Sequence, residues 1–161
     1  MKKIIGILGV LLLVLGISAC GSKKGNNNIN INLNKTKTMN LGQLKYEISE
    51  DYKLDEEYSN DTYHVYGTRE YPCLIKLRES VEYDIDDSYY SGTYINENVN
   101  INGFDWKHIE YKESIGKNAN SIQGDYIINH NGKSYDFNYS YPDSYDACNK
   151  LVGIISNSLS F

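Results

Sequence analysis

The stretch YIINHNGKSYDFNYSY (Tyr126–Tyr141) decides the fold class. Its centre, Asn131-Gly132, is the pair that a two-residue hairpin turn favours, because both central positions need φ > 0. Folding the chain back at this turn sets His130 opposite Lys133, Ile128 opposite Tyr135 and Tyr126 opposite Phe137. Tyr139 and Tyr141 then extend one face, while Ser134, Asp136, Asn138 and Ser140 alternate with them. An aromatic face backed by a polar one is the pattern of a half-buried antiparallel sheet. Such a row can also serve as a carbohydrate platform, but core packing is its commoner use.

The same logic extends upstream. In VNINGFDWKH, a turn at Asn102-Gly103 pairs Ile101 with Phe104, Val99 with Trp106 and Glu97 with His108. LKYEIS, TYHVYGT and YPCLIKLRES are short β-prone runs expected in the same sheet, with Cys73, Ile75 and Leu77 sharing a face and Pro72 at a strand's start. Downstream the period changes. Pro142-Asp143-Ser144 reads as a helix start, and Cys148, Leu151, Val152 and Ile155 fall at i, i+3, i+4, i+7. Leu159 and Phe161 alternate as a short closing strand. A helix apolar on one face needs a sheet to cover, so the expected class is α+β: an antiparallel β-sheet covered by a C-terminal α-helix.

The 161 residues allow one ordinary domain once any targeting segment is removed. Charge is distributed unevenly. Residues 1–38 hold six lysines and no acid, which leaves ten Lys/Arg against 21 Asp/Glu, a formal −11, in residues 39–161. Phosphate binding needs clustered Lys and Arg, so nucleic acid is excluded as the expected partner.

The N-terminus reads as a targeting segment. Lys2 and Lys3 precede a 14-residue apolar run, Ile4 to Ile17, which is too short to span ~30 Å of hydrocarbon as a helix. Ile17-Ser18-Ala19-Cys20 resembles the lipobox of bacterial lipoproteins. That resemblance implies cleavage before Cys20 and a diacylglycerol thioether on it; two acyl chains anchor far more durably than one. The competing reading is an uncleaved anchor with an incidental cysteine. Residues 1–19 are thus expected as signal peptide, 20–38 as lipidated cysteine and tether, and 39–161 as the domain. The tether is rich in Gly, Ser, Asn and Lys. Ile29, Ile31 and Leu33 alternate with Asn, so an extra edge strand there stays open.

Taken in order, LGQLKYEIS, DYKL, VNINGF and GKSYDFNYSYPDSYDACNKLVGIISNSLSF resemble small PsbP-like lipoproteins over roughly residues 40–161. The resemblance implies an antiparallel sheet packed against helices, a fold shared with the extrinsic protein of the photosystem oxygen-evolving complex and with a Ran-binding nucleotide-release factor. Family members commonly carry a helix before the central hairpin. Here VEYDIDDSYYSGTYINE is acidic and a poor amphipathic helix, so the sandwich is expected to lack that middle helix. The family shares no single activity, and a fold does not confer one.

No constellation of catalytic residues stands out. Asp84-x-Asp86-x-Ser88 begins like a calcium loop, but Tyr89 and Ile95 occupy the positions where an EF-hand needs Gly and Glu. Asp84, Asp86 and Asp87 remain as a candidate interaction loop. Ser114-Ile115-Gly116-Lys117 has the S-x-x-K spacing of an acyl-enzyme but lacks the partner motifs, and it reads as a loop. His64, His108 and His130 lack metal-ligand spacing, and His108 opposite Glu97 suits a cross-strand charge pair. No catalytic residue, metal or cofactor is therefore expected. Cys73 and Cys148 both face the expected core. Outside the cytoplasm they would either bridge or pack as buried thiols.

The function expected on these grounds is a membrane-anchored extracytoplasmic lipoprotein acting as a non-catalytic accessory or binding module, with an unknown protein or small molecule as partner. The alternatives are a small extracytoplasmic hydrolase and a structural or inhibitory surface protein.

Overall fold

A computed structural model describes residues 32–67, 72–85, 95–116 and 119–161. A two-stranded sheet pairs β1 (Thr36–Leu41) with β2 (Leu44–Ser49). The main sheet is antiparallel with six strands: β3 (Tyr63–Tyr66), β4 (Leu74–Val81), β5 (Ile95–Ile101), β6 (Phe104–Gly116), β7 (Ala119–His130) and β8 (Lys133–Pro142). Their spatial order is β3-β4-β8-β7-β6-β5. One helix, α1 (Asp146–Ser158), follows β8. This is the expected α+β class. The segment expected to lack the middle helix lies partly outside the described residues, as do Cys20 and residues 29–31.

Both hairpins hold the register that their turns predict. Ile101 pairs with Phe104, Val99 with Trp106, Ile128 with Tyr135 and Tyr126 with Phe137. Asn102, Gly103, Asn131 and Gly132 all take positive φ, from 52° to 88°. A Cβ on Gly132 would meet nothing within 4 Å. Gly132→Val therefore tests backbone strain alone, and it is expected to cost about 2 kcal/mol in chemical denaturation. An unchanged midpoint would contradict the turn geometry.

The aromatic row is core. Tyr135, Phe137, Tyr139 and Tyr141 are buried under α1, whose Cys148, Leu151, Val152 and Ile155 face the sheet. Trp106 and Leu159 close one end of this layer, and Phe161 stacks on Trp106 with ring centres 6.1 Å apart. Asn102 at the first hairpin turn donates to the carbonyls of Asn157 and Leu159, at 3.1 and 3.0 Å. These bonds satisfy acceptors that the end of a helix leaves unpaired.

Five expectations need correction. LKYEIS does not join the main sheet. As β2 its strand partner is β1, because the turn at Gly42 (φ +56°) closes a separate ribbon that lies along α1. That ribbon begins at Thr36, so the last three residues of the expected tether are paired. Leu159–Phe161 form no strand; a single bridge joins Ser160 to Lys45. Pro142 ends β8 instead of starting the helix. The N-cap residue is Tyr145, which makes no side-chain cap, and Asp143 is tied to β7 by a backbone bond to Asn120 of 2.9 Å. Finally, Ser114 lies within β6 and not in a loop, since pairing with β7 continues as far as Gly116.

Candidate functional site

The alternation that buries the tyrosines of β8 sends its other residues to the outer face of the sheet, away from α1. Two rows of residues cross that face. Val65, Lys76, Asn138, Asp125 and Ile109 form one, on β3, β4, β8, β7 and β6. Tyr63, Arg78, Asp136 and Ile127 form the next, from β3 to β7. Between them lies a cleft of about 460 Å³, lined among the described residues by Tyr63, Lys76, Arg78, Asp125, Asp136 and Asn138.

The polar groups in this cleft are held by cross-strand bonds. Arg78 Nη2 donates to Asp136 Oδ2 at 2.8 Å, and Asn138 Nδ2 donates to Asp125 Oδ1 at 2.8 Å. Asp125 and Asp136 stand close enough for their charges to act on each other. Asp136 Oδ1 is buried without a hydrogen-bond partner among the described residues. Burial, followed by the charge of Asp125, pushes Asp136 up to about 6 against the pull of Arg78. Burial likewise raises Asp125, against Asn138, Asp136, Arg78 and His108.

These shifts carry a stability prediction. An acid whose pKa is raised by folding stabilises the fold fully below its unfolded value and loses that contribution as pH rises through its folded value. Stability should therefore fall between about pH 4 and pH 7, by about 2 kcal/mol after allowing for solvent around the half-exposed Arg78. Asp136→Asn should flatten this slope in urea titrations at stepped pH. A wild-type slope of zero across that range would remove the raised Asp136 carboxyl from the account.

The chain after β4 crosses the same face. Tyr83 N donates to Ser134 Oγ at 3.0 Å, Asn129 Nδ2 donates to the Tyr83 carbonyl at 2.9 Å, and the Tyr83 hydroxyl reaches Arg78. Asp84 of the candidate interaction loop follows and is exposed; Asp86 and Asp87 lie outside the described residues. Loop and cleft are thus neighbours in the chain, although only the loop stood out in the sequence. The register at Asn131-Gly132 was enough to place Asp125 and Asp136 on one polar face. No sequence signal placed β4, and with it Arg78, beside β8.

The histidines sit on the other side of the sheet or at its ends. His64 Nδ1 is 2.6 Å from the Tyr46 hydroxyl, which is 2.8 Å from that of Tyr66. Burial lowers the His64 pKa against the charge of Asp61. His108 stacks on Tyr126 at 4.1 Å, and its Nδ1 lies 3.4 Å from Glu97. Tyr139 donates to Glu110 at 2.7 Å, so the His108 Nε2 at 3.0 Å is the donor to the Tyr139 oxygen. His130 stacks on Phe161 at 4.1 Å. Among the described residues no three His, Cys, Asp or Glu side chains are grouped to hold a metal. The sulfurs of Cys73 and Cys148 are joined, with Cα atoms 5.6 Å apart, which ties the first turn of α1 to the start of β4.

No family model matches this chain, and no curated protein matches it. Among solved structures it is similar to a protein from Bacteroides thetaiotaomicron, at 11% identity and a TM-score of 0.50, over 78% of this chain and 47% of that one. The chain thus spans about half the length of that relative. It is also similar to the Ran-binding protein Mog1p of Saccharomyces cerevisiae, at 12% identity and a TM-score of 0.48, over 78% and 95% of the two chains. LpqN of Mycobacterium tuberculosis, described as involved in cell envelope biogenesis, gives 14% identity and a TM-score of 0.46, over 78% and 90%. At these identities the likeness is one of fold.

Proposed function

We propose that this protein is a binding module anchored by lipid on Cys20 to the outer face of the cytoplasmic membrane, with the cleft on the outer sheet face as its recognition surface. The observation that carries the reading is the cleft itself. Charged groups are partly desolvated there and held in place from three strands, by the bonds of Arg78 to Asp136 and of Asn138 to Asp125. Prepositioned polar groups of this kind lower the ordering cost of binding. The formal −11 of residues 39–161 favours cationic partners over nucleic acid. Among the described residues no helix is long and apolar enough to cross a membrane. The lipobox-like Ile17-Ser18-Ala19-Cys20 supports the lipid as the attachment, with the residues before β1 as its tether.

Metabolic labelling with a palmitate analogue tests the anchor. Label is expected on the wild type and none on Cys20→Ala; equal labelling of both overturns it. Cross-linking in membranes tests the module. A captured partner should be lost in Asp136→Asn, and a capture indifferent to that change places recognition elsewhere.

One observation favours a second reading, a small extracytoplasmic hydrolase. Two neighbouring carboxyls, Asp125 and Asp136, line the cleft with pKa values raised by burial, and such a pair can supply an acid and a base in one place. The Arg78 ion pair weighs against it, because a guanidinium held on Asp136 favours the ionised form and reduces its service as an acid.

A further inference from the structure

Not all charges in the cleft are matched. Arg78 and Asp136 neutralise each other. Asp125 bonds to the neutral amide of Asn138 and feels the Arg78 charge at a distance, but forms no ion pair among the described residues. Lys76 likewise has no carboxylate partner among them. Yet the two belong to one register row, Lys76 opposite Asn138 and Asn138 opposite Asp125, on β4, β8 and β7. Their Cα atoms are two strand spacings apart, about 10 Å, and a neutral side chain stands between them. Val65 and Ile109 are buried at the two ends of this row. The result is a cleft with a cationic pole, an anionic pole, an amide between them and apolar ends.

We propose that the cleft binds a short zwitterion, its ammonium on Asp125 and its anionic group on Lys76. This rests on the binding-module reading and names the ligand class. A net cation would find Asp125 but leave Lys76 repelling it, and a net anion would meet the reverse. A ligand carrying both charges on a short spacer satisfies both poles and leaves the Arg78–Asp136 pair intact. Two charges on one molecule also make the second contact intramolecular, so the pair should bind far better than either half.

The full-length lipidated protein in detergent micelles is titrated at neutral pH, by calorimetry, with three probes: 4-aminobutyrate, butylamine and butyrate. The zwitterion is expected to bind at least about tenfold more tightly than either half. Lys76→Met should bring 4-aminobutyrate down to the level of butylamine, and Asp125→Asn down to that of butyrate. Melting curves accompany each variant; Lys76→Met changes only a partly exposed side chain and serves as the safe one. Equal binding of all three probes, or unchanged 4-aminobutyrate binding in Lys76→Met, overturns the proposal. So does an absence of binding by every probe. In that last case a membrane partner still captured by the wild type and lost in Asp136→Asn leaves the module reading standing. No partner and no probe bound means that both fall.

Discussion

Replacing Cys73 and Cys148 together by alanine is expected to lower the melting temperature by roughly 15 °C, a loss of about 4 kcal/mol. The bond spans 75 residues of sequence, so it removes much of the freedom of the unfolded chain. It also acts at a sensitive place. Cys148 sits in the first turn of α1, where no side chain caps the helix, and Cys73 lies just before β4. Both are fully buried, so two small cavities add to the loss. The measurement is thermal unfolding of the wild type with and without reductant beside the double variant. Reduced wild type should melt well below the oxidised protein and somewhat above the double variant, which also carries the cavities. Intact mass after alkylation in denaturant, without reductant, should show neither thiol modified. Two modified thiols there would mean that the cysteines pack without bonding.

Gly124→Ala should be about as damaging, at about 4 kcal/mol, although it adds one methyl group. Gly124 stands in β7 between Glu110 of β6 and Tyr139 of β8. The Tyr139 ring lies across it, so an added Cβ would come within 2.2 Å of the hydroxyl and 2.3 Å of the ring. The ring has little room to yield, being 1% exposed and packed beside Phe137 and Tyr141. Overpacking of this kind costs about 1–3 kcal/mol. Displacing the hydroxyl also breaks its bonds to Glu110 and His108, and a bond to a charged group contributes about 1.5–3 kcal/mol. A second background makes the prediction sharper. With Tyr139→Leu already in place the ring clash is gone and only the Ile109 carbonyl, 2.9 Å from the added Cβ, remains, so Gly124→Ala should cost much less than in the wild type. Urea midpoints of the four proteins check this. A wild-type loss below about 1 kcal/mol would show that the ring moves aside freely.

What the sequence determined by itself was local. Asn102-Gly103 and Asn131-Gly132 set two registers because a two-residue turn leaves its flanking strands one way to pair. The spacing of Cys148, Leu151, Val152 and Ile155 marked a helical face because 3.6 residues per turn gathers them on one side. Together these gave the α+β class and the buried tyrosine row. Tertiary structure decided what depends on distant partners. LKYEIS has strand chemistry, but whether it joins the main sheet or forms a ribbon beside α1 depends on the helix that lies along it. Pro142 and Asp143 look like a helix start, yet Pro142 ends β8 and a backbone bond ties Asp143 to β7. Asp136 is an ordinary polar position in its own hairpin. It becomes part of a site only because β4, 58 residues earlier in the chain, brings Arg78 beside it. Its raised pKa has the same origin: burial and a second carboxyl are properties of the assembled face, and neither exists in the strand alone.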